Sequence, residues 1–185
     1  MLIFPMLRCY ITDRYALAPG VSLLETIAHA NADWVQIREK DLSPRALFDV
    51  VKAAIPLGKK VIVNSRMDVA LAAGAAGLHL PAGSIPPDRW RAISPRDFLI
   101  GVSCHTIGEV RRAAEHGADY VFFGPVFAPL SKSSSLAPRG LAGLRHAARS
   151  VRIPVFALGG ITRDNADRCA EQGAAGIAAI SLYQC

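Results

Sequence analysis

The sequence predicts a single (β/α)8 TIM barrel over residues 1–185, and three observations carry that prediction. The length suits one domain, since domains cluster at roughly 100 to 200 residues. Four segments then align with one another: HANADWVQI from His29, AAGAAGLHL from Ala72, EHGADYVFF from Glu115 and EQGAAGIAA from Glu171, with starts 43, 43 and 56 residues apart. Each reads as a helix end, a turn and the start of an apolar strand, because Gly and Asn tolerate the left-handed conformation that stops a helix. That period is long for one βα unit and suits two. Short apolar strands alternating strictly with amphipathic stretches imply a parallel sheet, and eight such units close into a barrel.

The strands follow in order. The first is expected over 7–12, and the four repeats supply 33–38, 77–80, 119–124 and 176–181. Between them, Lys60-Val61-Ile62-Val63 leads a strand over 60–64, and 98–103 and 154–159 complete the set of eight. Pro44–Ala54 and Thr106–Glu115 repeat their apolar residues at helical spacing. Such barrels typically use about 250 residues. Only Leu182 to Cys185 follow the eighth strand, so the C-terminal helix is expected to be short or missing. The seam between the last and first strands then needs cover, from Met1–Met6 or from a second copy, and a homodimer is expected.

Composition narrows the class. With 51% hydrophobic and 19% charged residues the chain is globular rather than disordered. No apolar run approaches the roughly 18 residues needed to cross a bilayer, and Met1-Leu2-Ile3-Phe4-Pro5-Met6 lacks the basic start and cleavage site of a signal peptide. Cys9, Cys104, Cys169 and Cys185 show no CxxC spacing, so small buried thiols in a reducing cytoplasm are expected. The net charge of +6 is spread without a basic block or interleaved aromatics, which suits an anionic small molecule better than nucleic acid or a membrane.

Ligands of this fold bind at the carboxyl ends of the strands, and the polar residues gather there. They are Thr12-Asp13-Arg14, Gln36 to Lys40, Asn64-Ser65-Arg66, His79, Ser103-Cys104-His105, Ser131-Lys132 and Ser181. Alternation along the second strand puts Gln36, Arg38 and Lys40 on one side, and two cations with an amide suit a phosphate or pyrophosphate. Gly159-Gly160, between the seventh strand and its helix, lets backbone amides approach an anion, although a tight turn explains the pair equally well. Taken with Lys132 and Ile180-Ser181, the phosphate reading is favoured. His79 reads either as a functional group or as a hydrogen-bonded core histidine. His105 lies past a strand end, beside a Thr106 suited to capping, and is the preferred proton-transfer candidate. His29, His116 and His146 read as surface residues, and Trp34 and Trp90 as packing residues. Lys40 could pair with Glu39 or Asp41 as ordinary surface charge.

The ordered set CYITDR (9–14), WVQIREKDLS (34–43), GVSCHTIGEVRRAAEHGADYVFFGPVF (101–127), SK (131–132), LGGITRDNA (158–166) and GIAAIS (176–181) resembles the thiamine phosphate synthase and TenI superfamily. The resemblance implies that Gln36, Arg38, Lys40, Asn64 and Lys132 face a pyrimidine diphosphate, with Ser103 nearby. It likewise implies that Gly159, Gly160, Ile180 and Ser181 hold a thiazole phosphate, and Ser131 keeps one hydroxyl of the sixth-loop pattern. Synthases of this superfamily use magnesium. Where they carry Asn-Asp-Arg this chain has Asn64-Ser65-Arg66, and where they carry an acidic stretch it has Ala82-Gly83-Ser84. Both expected magnesium carboxylates are replaced, and magnesium usually needs one or two.

The run LPAGSIPP (80–87) is similar to the TenI-type branch, which implies a metal-independent thiazole tautomerase or thiazole phosphate-binding protein with no metal and no cofactor. The histidine that branch uses after the sixth strand corresponds to Pro125, so His105 or His79 would have to transfer the proton. Two alternatives stand beside this reading: a divergent synthase dependent on Mg2+, and a non-catalytic phosphate-binding or regulatory barrel.

Overall fold

The computed structural model describes residues 6–128 and 136–184, so Ser131 and Lys132 lie outside the described residues. Eight parallel strands form a closed barrel in chain order: β1 Leu7–Ile11, β2 Trp34–Ile37, β3 Lys60–Asn64, β4 Gly77–Leu80, β5 Leu99–Cys104, β6 Tyr120–Phe123, β7 Val155–Leu158 and β8 Gly176–Ala179. The described helices are α1 Leu23–His29, α2 Pro44–Ala54, α3 Met67–Ala73, α4 Pro87–Arg91, α5 Ile107–Glu115, α6 Gly140–Ser150 and α7 Arg163–Glu171. The barrel and its interleaved helices are those the sequence predicts.

Local signals start the helices. Ser22 and Ser43 accept the backbone N–H of Glu25 and Ala46, and Pro44 occupies the first helical turn, where no N–H is needed. Thr106 and Glu109 form a reciprocal capping box that opens α5. Three of the four repeats end on a left-handed glycine, with φ of +74° at Gly74, +79° at Gly117 and +91° at Gly173. Asn31, expected to do the same, does not take a positive φ; α1 closes at Ala30, whose N–H reaches the Thr26 carbonyl.

Alternation along the strands separates two packing layers. Cys9, Ile11, Tyr120, Phe122, Phe156 and Ala178 fill the barrel, with Trp34 packed against them. Outward-facing residues such as Val35, Val61, Leu78, Val121 and Ile177 meet the helices. Aromatic rings inside the barrel need space on neighbouring strands. A Cβ on Gly101 would meet the Tyr120 ring at 2.0 Å, so the glycine lets that ring cross the barrel interior.

Several strands end one or two residues earlier than expected at the carboxyl end. Past β2 the Arg38 N–H leaves the ladder and donates to Thr12 Oγ1 at 2.9 Å. The seam is closed by β1–β8 pairing from Leu7↔Gly176 to Tyr10↔Ala179. Past β8 the chain makes a 3-10 turn, Ser181–Tyr183; Tyr183 packs on Tyr10, and Gln184 Nε2 donates to Tyr10 OH and the Asp13 carbonyl.

Candidate functional site at the carboxyl end of the barrel

Strands β2 and β3 carry an amide chain. Gln36 Nε2 donates to Asn64 Oδ1 at 3.0 Å, and Asn64 Nδ2 donates to Ser65 Oγ at 2.9 Å. Gln36 is buried, and its Oε1 has no hydrogen-bond partner among the described residues. Ser65 has a φ of +62°, a left-handed conformation that costs an ordinary side chain about 1–2 kcal/mol. A cavity of about 260 Å³ lies beside this chain, bordered by Glu39, Lys40, Asn64, Ser65 and Arg66.

The loops after β1 and β2 are clamped together. Arg14 Nη1 reaches Glu39 Oε2 at 3.0 Å and Asp41 Oδ1 at 2.8 Å, and its backbone N–H also donates to the Glu39 carboxylate. Arg14 Nη2 bonds Asp41 Oδ2 and Tyr15 OH, and Tyr15 OH donates to Asp41 Oδ2 at 2.8 Å. The Arg14 guanidinium, helped by the Tyr15 hydroxyl, holds the Asp41 carboxyl well below the usual carboxylate range. Glu39 is buried, and Arg14 is its paired counter-charge. Arg38 and Lys40 flank Glu39 in sequence and are therefore carried by a fixed segment. The Arg38 guanidinium makes no ion pair among the described residues.

On β4, next to β3, His79 lies inside the barrel in register with Asn64. Its Nε2 is 2.9 Å from Ser103 Oγ, its Nδ1 is 3.2 Å from Tyr120 OH, and its ring packs on Phe122 with centroids 4.2 Å apart. Burial pushes its pKa down to about 3, so the ring is neutral at physiological pH. His105 lies further out, with Nδ1 donating to the Gly124 carbonyl at 2.6 Å, which leaves Nε2 as the acceptor of a neutral ring. That contact puts His105 beside Pro125.

At β7 and β8, Gly159 and Gly160 have φ of +95° and +61°. A Cβ on either would collide with the loop after β6, at 2.6 Å from Pro125 Cβ and 2.3 Å from the Ala128 carbonyl. Close loop packing therefore suffices to require both glycines. Ile180 and Ser181 follow β8 at the same end of the barrel. His29, His116 and His146 are exposed, Trp34 packs on Tyr120 and Phe156, and Trp90 packs against the outer core.

The donors on the described residues do not suit a resident magnesium ion. Ser65 Oγ is engaged by Asn64, Asp68 is taken by Arg66, Glu39 and Asp41 are taken by Arg14, and no three His, Cys, Asp or Glu converge among the described residues. Sequence reasoning brought Arg14 and Glu39 to this end of the barrel without pairing them. It missed Tyr120, which sits within an apolar run and whose only signal is Gly101 on the neighbouring strand.

A closed parallel barrel with amides and cations gathered at its carboxyl end is the architecture of a TIM-barrel protein that receives a small-molecule ligand there. The family model described as "Thiamine monophosphate synthase" matches residues 9–182, and the chain belongs to that family. It is 40% identical over 182 residues to the thiamine-phosphate synthase of Methanoregula boonei, covering 95% of this chain and 84% of that one. It is 41% identical over 179 residues to the thiamine-phosphate synthase of Roseiflexus castenholzii, covering 92% and 78%. The solved thiamine phosphate pyrophosphorylase of Pyrococcus furiosus superposes with a TM-score of 0.84 at 34% identity, covering 95% of this chain and 86% of that one. No described helix is long and apolar enough to cross a membrane.

Proposed function

We propose that this barrel forms thiamine phosphate from a pyrimidine diphosphate and a thiazole phosphate. The bond between the pyrimidine methylene carbon and the diphosphate oxygen breaks, its electron pair leaves with pyrophosphate, and the thiazole nitrogen forms the new C–N bond. The observation that carries this reading is Gln36 Oε1, a buried amide oxygen without a donor among the described residues. Burying such an acceptor costs about 1–3 kcal/mol, and the amino N–H of a pyrimidine would satisfy it. A thiazole phosphate alone, with no N–H donor on its ring, would leave it unsatisfied.

In this reading Asn64 orients Gln36, Arg38 and Lys40 with Lys132 balance the charge on the diphosphate, and Ser103 donates to one of its oxygens. Gly159, Gly160, Ile180, Ser181 and Ser131 receive the thiazole phosphate. The relatives named thiamine-phosphate synthase at about 40% identity support the same reaction. Isothermal titration with the pyrimidine diphosphate and with thiazole phosphate, singly, tests it. Binding of the second but not the first would remove it.

A second reading is favoured by Ser65 and by His105: metal-independent isomerisation of a thiazole carboxylate phosphate in a cytoplasmic, TenI-like protein. Ser65 stands where synthase chemistry calls for a carboxylate, and His105 Nε2 is an acceptor held beside Pro125. A proton-transfer assay on that substrate, with His105→Gln as the control, separates this reading from the first.

A further inference from the structure

We propose that Tyr120 and His79 act as positioning residues that fix Ser103 as a hydrogen-bond donor toward the ligand, an inference that rests on the barrel mouth receiving a phosphorylated ligand. The three residues sit on three adjacent strands, β6, β4 and β5, and form one chain of contacts from the barrel core to its mouth.

The direction of that chain follows from counting donors. Tyr120 OH is buried, and its one partner among the described residues is His79 Nδ1, at 3.2 Å. If Nδ1 carried the proton, the phenolic hydrogen would point at no acceptor, which is costly in an interior this apolar. Tyr120 therefore donates and Nδ1 accepts. A neutral imidazole has one N–H, so it must be on Nε2, which donates to Ser103 Oγ at 2.9 Å. With Oγ serving as acceptor on its inner side, the Ser103 hydrogen is left for a partner in the mouth. An anionic phosphate oxygen is the partner that such a donor fits best. Gly101 makes the arrangement possible, because any side chain there would collide with the Tyr120 ring at 2.0 Å. His79 is stacked on Phe122 at 4.2 Å, which fixes the ring plane.

The tautomer is read directly by long-range 1H–15N correlation on the full 15N-labelled chain without ligand. The expected result is a protonated Nε2 and a bare Nδ1 on His79. A protonated Nδ1 overturns the relay while leaving the reaction reading intact. Affinity is then measured with inorganic pyrophosphate and with thiazole phosphate as probes. Ser103→Ala is expected to weaken pyrophosphate binding about tenfold, the size of one charge-assisted hydrogen bond. Tyr120→Phe, which keeps the ring, removes the bond that holds the proton on Nε2, so that the Ser103 hydroxyl is free to turn inward, and it is expected to weaken binding several-fold. The double variant should lose no more than Ser103→Ala alone. His79→Gln keeps a donor and an acceptor on one side chain and should bind within about threefold of the unmodified protein, whereas His79→Leu should not. Unchanged affinity in Tyr120→Phe, or in Ser103→Ala, overturns the proposal. Binding of neither probe by the unmodified protein overturns the reaction reading and the donor role of Ser103 together.

Discussion

Gln36 Nε2 donates to Asn64 Oδ1 at 3.0 Å, and that single bond commits the amide so that Oε1 is buried with no donor among the described residues. Replacing Gln36 by Met keeps the length and removes the acceptor. Binding of the pyrimidine diphosphate should weaken tenfold or more, as expected when a substrate N–H loses its buried partner. Thiazole phosphate affinity should stay as it was. Calorimetric titration with each ligand separately checks both halves.

Ser65 should tolerate aspartate and reject valine. Asp is among the residues that adopt a left-handed backbone with little strain, whereas a β-branched chain at φ +62° is more crowded than serine and should lower the urea midpoint. Ser65→Asp adds one carboxylate beside Asn64, with Ala82, Gly83 and Ser84 still in place of an acidic stretch. Magnesium titration of that variant should show no site in the micromolar range, and a tight site would contradict the reading of the mouth.

Arg14 should matter more than the exposure of its guanidinium suggests. Arg14→Ala leaves Glu39, 4% exposed, as an unpaired buried carboxylate, and should cost about 3 kcal/mol of stability. Asp41→Asn, at the solvent end of the same clamp, should shift the unfolding midpoint far less. Chemical denaturation of the two variants under one buffer makes the comparison.

His79 should give the fold an acid sensitivity of known sign. The unfolded chain takes up a proton on this ring below about 6.5, and the folded chain only below about 3. Between those values the unfolded state binds more protons, so the stabilisation is complete above about 6.5 and declines as pH falls toward 3. His79 contributes a slope of at most about 1.4 kcal/mol per pH unit in that window. Urea midpoints from pH 7 down to 4 should fall less steeply in His79→Gln than in the unmodified chain.

The barrel was legible because its glycine turns recur. Gly74, Gly117 and Gly173 each stop a helix by the conformation their residue type predicts, and the apolar run that follows each becomes a strand. Asn31 shows the limit, since a local preference for the left-handed region loses to the way α1 is bonded back at Ala30. At the site, strand alternation grouped Gln36 with Arg38 and Lys40, and the bond from Gln36 to Asn64 on the next strand lay beyond it. It could not pair Arg14 with Glu39 and Asp41, which are 25 and 27 residues away. Tyr120 was hidden for a different reason: its hydroxyl finds His79 only because Gly101 leaves room, and that relation spans three strands.

The most direct test of the central claim mixes the protein with the pyrimidine diphosphate and thiazole phosphate in buffer containing magnesium and follows thiamine phosphate and pyrophosphate together. The account predicts that both products appear in equal amounts and that, below saturating pyrimidine diphosphate, Gln36→Met forms them at least about tenfold more slowly. Failure of either product to rise above the protein-free control, while a thiazole carboxylate phosphate is isomerised by the same preparation, would contradict it.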